Sequence, residues 1–119
     1  MQLNRRCGPR DVNQVLKGIR VLDFGRFIAA PWCSAIFADM GADVVKVNSQ
    51  ERAIAGNNSP DSPYYVMWNR NKRALALDMR SEGGRAICRR LCDTADIVIE
   101  NFAVGVLDRW GIGYSTVQA

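Results

Sequence analysis

The chain has 119 residues, 48% apolar and 24% charged, the composition of one ordinary folded domain rather than a disordered or fibrous protein. Sixteen Lys and Arg against twelve Asp and Glu give a net charge of +4, which favours anionic partners. No run reaches the roughly 18 apolar residues of a membrane span, and the start MQLNRRCGPRDVNQ has no signal-peptide core, so no membrane insertion and a cytoplasmic location are expected.

Residues 1–17 read as a polar lead-in with at most a short helix at Asp11 to Lys17, ended by Gly18. Ile19 to Phe24 (IRVLDF) is short, β-branched at its start and bounded by glycines, the pattern of a buried strand. Pro31 then stands where the first position of a helix is expected, with Cys33, Ile36, Phe37 and Met40 as its apolar stripe and Gly41 as its stop. Ala42 to Val47 (ADVVKV) is the second strand, and the helix between the two suits a parallel, right-handed βαβ crossover.

The polar stretch Asn48 to Pro63 is long for a simple connector and is expected to be mobile unless ligand is bound. Tyr64 to Trp68 is an aromatic patch leading into NRNKR (Asn69 to Arg73), a run usually explained as a solvated turn. Ala74 to Leu77 is a third strand. Ser81 then caps a helix whose stripe is Gly84, Ile87, Cys88 and Leu91. Asp96 to Ile99 is the fourth strand, followed by a short helix around Val106 to Trp110, and STVQA resembles the opening turn of another helix. Strands alternating with helices imply an α/β fold, a Rossmann-like parallel sheet with flanking helices, over residues 18–119, as the amino-terminal portion of something larger.

In such sheets ligands bind beyond the carboxyl ends of the strands, at the loops Gly25 to Ala30 and Glu100 to Gly105. The first loop, GRFIAAP, lacks G-x-G-x-x-G, which disfavours NAD and FAD. Ala29 and Ala30 leave backbone N–H groups open to an anion at a helix start, or simply pack there. Asn101 and Phe102 offer an amide and a ring for a planar base, although a turn residue and a core aromatic are the commoner explanation. Arg109 and Trp110 supply a guanidinium for phosphate and an indole for packing. The aspartates, Asp23 among them, each have a structural role to hand as strand end, helix surface or cap, and none forms an obvious acid/base pair. There is no histidine and no G-x-S-x-G, so no catalytic residue is assigned. Cys7, Cys33, Cys88 and Cys92 are too scattered for a metal site and read as reduced, mostly buried thiols. Basic residues are dispersed and no stacking-aromatic motif is present, so nucleic acid is not an expected partner.

Taken together, GIRVLDFGRFIAAPWCSAIFADMGADVVKV, NRNKRALALDMRSEGGRAI and ADIVIENFAVGVLDRWGIGY closely resemble the amino-terminal region of class III CoA-transferases, the family of formyl-CoA transferase, carnitine CoA-transferase and the α-methylacyl-CoA racemases. The resemblance implies a Rossmann-like domain of a longer chain that pairs as interlocked homodimers. It implies coenzyme A or acyl-CoA as substrate, with contacts at Phe27, Ile28, Ala29, Ala30, Leu77, Asn101, Phe102, Arg109 and Trp110. Phe102 and Trp110 would flank the adenine or pantetheine, Arg109 would meet a phosphate, and the Phe27 loop would approach the thioester. Family chemistry moves CoA between an acyl-CoA and a carboxylic acid through a catalytic aspartate lying downstream of the matched segment. The racemase branch and a non-catalytic module acting by dimerisation or partner binding are the alternatives. Three features depart from the family pattern. Asn48 and Ser49 replace a glutamate and a basic residue, the next loop lacks a Gly-Asp pair, and Ile28 stands where formyl-CoA transferases carry glutamine.

Overall fold

A computed structural model describes residues 14–49 and 62–117. Four strands, β1 (Arg20–Asp23), β2 (Asp43–Ser49), β3 (Arg73–Leu77) and β4 (Ile97–Ile99), form one sheet in the order β3-β2-β1-β4. Every neighbouring pair is parallel, which confirms the α/β expectation. Helix α1 (Ala29–Asp39) joins β1 to β2, α2 (Pro63–Asn69) precedes β3, and α3 (Glu82–Cys92) joins β3 to β4. Two single-turn helices, α4 (Val106–Arg109) and α5 (Tyr114–Val117), follow.

Side-chain alternation along β1 and β2 divides the core between the two sheet faces. Leu22, Phe24, Val45 and Val47 meet Leu77, Met79, Cys88, Cys92 and Ile112 on one face. Val21 and Val44 meet Ala38 and Ala42 on the other. Asp23 and Lys46 are register partners and continue the Val21–Val44 row, so both charged side chains point to the face that α1 covers.

Several sequence expectations change. Helix α1 starts at Ala29, so Pro31 is its third residue and not its first; it still falls in the first turn, where no intrahelical N–H bond is lost. The buried face of α1 is Ala30, Pro31, Ser34, Ala35 and Ala38, small residues that let the helix lie close on the sheet. Three of the four residues of the expected stripe look outward, Cys33, Ile36 and Met40, while Phe37 packs against the Val21–Val44 cluster. The aromatic patch Tyr64 to Trp68 is part of α2, which packs on α1 through Trp68 against Trp32 at 6.1 Å between ring centroids.

The predicted cap of α3 is present, with Ser81 Oγ accepting from Gly84 N–H at 3.0 Å, while Ile87 is exposed and Cys92 takes its place in the core. Cys88 and Cys92 are buried thiols; the hydrogen bond with Cys92 and burial push the Cys88 thiol up, which keeps it protonated. At the amino end, residues 15–18 form a turn closed by Gly18 at φ 92°. The rest of the lead-in, including Cys7 and Asp11, the loop residues 50–61 and the last two residues lie outside the described residues.

Candidate coenzyme site at the carboxyl edge of the sheet

Strands β1 and β2 end in the same direction, and the loops beyond them open a cavity of about 260 Å3. The β1–α1 loop supplies Gly25, Arg26 and Phe27, the end of β2 supplies Lys46, Asn48 and Ser49, and α2 supplies Tyr64 and Tyr65. Asp78, Met79 and Arg80 follow β3, and Phe102 and Trp110 close the far side. The cavity therefore sits where parallel sheets place ligands, beyond the strand carboxyl ends.

Its aromatic wall is ordered. Phe102 and Trp110 meet edge to face at 5.2 Å, and the Arg26 guanidinium lies over the Phe102 ring at 4.7 Å. This arrangement presents ring surface beside positive charge, which suits a planar base carrying phosphate. On the opposite wall Asn48 Nδ2 donates to the Tyr65 hydroxyl at 2.8 Å. Arg80 Nε donates to Asp78 at 3.1 Å.

Beneath the cavity lies a charge cluster that the sequence reading did not identify. Asp23 is fully buried and accepts from Gly25 N–H at 2.7 Å, Ser34 Oγ at 2.5 Å, Lys46 Nζ at 3.2 Å and Lys72 Nζ at 2.9 Å. Lys46 also donates to the Gly25 carbonyl, and Lys72 to Pro31 O at 2.8 Å and Asn69 Oδ1 at 3.1 Å. Burial pushes the Asp23 carboxyl up, but the two ammonium groups and the hydrogen bonds from Lys72 and Ser34 outweigh it and hold it below its ordinary value. Burial pushes both lysines down, against the pull of Asp23. The carboxylate is thus enclosed by donors and weakly basic, which makes it a scaffold and a poor nucleophile.

NRNKR is an exposed turn at Arg70 and Asn71, as expected, but its charges are engaged. Lys72 is buried, Arg70 and Asn71 bind Asp39, and Arg73 holds Asp43 bidentately at 2.9 and 2.6 Å. A usable signal lay in the strands themselves: an aspartate in VLDF and a lysine in VVKV interrupt otherwise buried apolar runs, and such charges persist inside only when paired.

Of the nine residues expected to contact ligand, Phe27, Phe102 and Trp110 line the cavity. Ala30 and Leu77 are buried in the core, at 5% and 7% exposure. Ile28 is exposed as the amino-terminal cap of α1, Ala29 begins that helix, and Arg109 is exposed on α4. Asn101 lies behind the β1–α1 loop and grips its backbone: Arg26 N–H donates to Asn101 Oδ1 at 2.7 Å, and Asn101 Nδ2 donates to Arg26 O at 2.8 Å. Among the described residues no group of three or more His, Cys, Asp or Glu could hold a metal ion, and no helix is long and apolar enough to cross a membrane.

The family model described as CoA-transferase family III matches residues 16–119. The succinate–glutarate CoA-transferase of Agrobacterium fabrum is 39% identical over 115 residues, covering 87% of this chain and 29% of that protein. The formyl-CoA:oxalate CoA-transferase of Afipia carboxidovorans is 37% identical over 114 residues, covering 88% and 26%. Among solved structures, a CAIB/BAIF family protein from Brucella suis superposes with a TM-score of 0.80 at 37% identity, over 89% of this chain and 30% of that one. The chain thus spans less than a third of the length of these relatives.

Proposed function

Because the chain belongs to CoA-transferase family III, we propose that it supplies the coenzyme A-binding surface of an enzyme that moves CoA between an acyl-CoA and a carboxylic acid. The observation that supports this most directly is the Phe102–Trp110 pair with Arg26 stacked on it, on one wall of a cavity that also carries Arg80. In this reading the rings take the adenine or pantetheine, the cations face the phosphates, Phe27 stands near the thioester arm, and Arg109 reaches phosphate from the rim. Ile28, Ala29 and Ala30 set the shape of the loop, and Leu77 supports the floor. The relatives named above act on succinate, glutarate and oxalate, so short dicarboxylic acids are the first acceptors to test.

The acyl-accepting carboxylate of the reaction is assigned to no residue of this chain. Asp23 is unsuited to it, being enclosed and held by four donors. Acyl transfer by this reading needs a downstream aspartate and a paired subunit, in a cytoplasmic enzyme. Isothermal calorimetry of the 119-residue chain with CoA is the test. Binding that weakens several-fold with dephospho-CoA and in Phe102→Ala supports the reading, and no heat with CoA at millimolar concentration removes it.

A second reading, a non-catalytic module that acts by pairing, draws on the exposed apolar side chains of α1 and α2: Trp32, Ile36, Val66 and Met67. Exposed patches of this kind favour association. Sedimentation showing a dimer that binds no CoA would favour it over the first.

A further inference from the structure

Phe27 has a left-handed backbone, φ 60°, and is 74% exposed at the cavity mouth. A bulky L-residue avoids that conformation, at a cost of roughly 1–2 kcal/mol, so something else must fix the loop. Gly25 contributes by compactness: a Cβ there would run into Ala30 Cβ and come within 2.8 Å of Asp23 Oδ1 and 2.9 Å of Pro31 Cδ. Asn101 contributes by direct attachment. Its amide both accepts from Arg26 N–H and donates to Arg26 O. This is the pair of bonds that a neighbouring strand would make, and it continues the β1–β4 ladder past Phe24 N–H to Ile99 O at 2.9 Å.

Gly25, Arg26 and Phe27 line the cavity and Asn101 does not. We propose that Asn101 is a positioning residue: its side chain acts on the bound coenzyme through the Gly25–Phe27 loop, by holding Arg26 over Phe102 and Phe27 at the mouth. Only an amide serves both bonds, since a carboxylate at this position keeps the acceptor but sets a negative oxygen against the Arg26 carbonyl. The proposal rests on the coenzyme reading above and adds a positioning role for the side chain to the contact implied by family resemblance.

A double-mutant cycle with amide hydrogen exchange tests it. In the free chain the Arg26 amide is expected to be protected, with the protection lost in Asn101→Ala and also reduced in Asn101→Asp while both variants melt cooperatively. CoA affinity should fall about tenfold in Asn101→Ala, a coupling typical of residues in one network. In the Arg26→Ala/Phe27→Ala background the same substitution should cost less than about twofold, because both side chains it positions are already gone. Rapid exchange of Arg26 in the unsubstituted chain overturns the proposal whatever CoA does. Independent, additive losses from Asn101→Ala and from Arg26→Ala with Phe27→Ala overturn it and leave the coenzyme reading intact. Failure of the unsubstituted chain to bind CoA removes both.

Discussion

Asp23 faces two ammonium groups and two further donors from four different segments of chain: the β1–α1 loop, α1, β2 and the turn before β3. Removing its charge leaves Lys46 and Lys72 buried against each other, and breaking a buried pair in this way costs roughly 3–5 kcal/mol. Asp23→Asn should therefore lower the urea midpoint sharply, whereas Asp39→Asn, at a half-exposed pair with Arg70, should cost under about 1 kcal/mol. The pH dependence follows the same charges. The folded-state pKa of Asp23 lies below its unfolded value, so its contribution is complete above the ordinary carboxylate range and is lost as pH falls through and below that range. The lysines, pushed down by burial, act in the same sense at the other end, where stability rises as pH approaches the ordinary lysine range. Urea titrations across both windows should show stability rising with pH in each; an acid limb unchanged in Asp23→Asn would contradict the assignment. Side-chain roles of this kind were the least legible part of the sequence. That Asp23 and Lys46 interrupt apolar strands is visible in one dimension, but the arrival of Lys72 from 49 residues away depends on strand order.

The strands and the main helices could be located from periodicity and punctuation because each is driven by local signals: β-branched runs between glycines, Ser81 as cap, Gly41 after the last turn of α1. What periodicity could not supply was orientation. Helix α1 carries two apolar faces, one small and one large, and the sheet selected the small one because close helix–sheet approach buries more surface than bulk alone predicts. The two glycines of α3 separate in the same way. Around Gly83 nothing lies within 4 Å, while a Cβ on Gly84 would stand 2.8 Å from the Asp78 carbonyl carbon and 3.0 Å from Ser81 Oγ. Gly83→Ala should thus stabilise the chain by roughly 0.5–1 kcal/mol, and Gly84→Ala should destabilise it. Ser81→Ala, which removes the bond to Gly84 N–H, should cost about 1 kcal/mol. Thermal melts of the three variants would decide; a Gly84→Ala chain as stable as Gly83→Ala would mean that the helix start is not pressed against Asp78.

Across the molecule, the site is divided between early and late sequence. The cavity takes the ends of β1 and β2 on one side and residues beyond β4 on the other, and the large apolar side chains of α1 and α2 stay open to solvent. Substituting Trp32 and Met67 by glutamate should reduce self-association in sedimentation without changing the sheet, if those faces pair as the second reading holds. The bonds between Asn101 and the Arg26 backbone cross 75 residues of chain. Closing so long an interval is entropically slow, and contacts of high sequence separation form late. The order of assembly then follows from topology: α1 and β2 can gather on β1 and hold Gly25 while Arg26 and Phe27 are still unset, and the docking of β4 completes the shape of that loop. In a refolding time course, protection of core amides such as Val44 should precede protection of Arg26. Any partly made chain released before residue 101 would carry a sheet without a coenzyme mouth, so ligand binding reports on completion of the fold and not merely on its start.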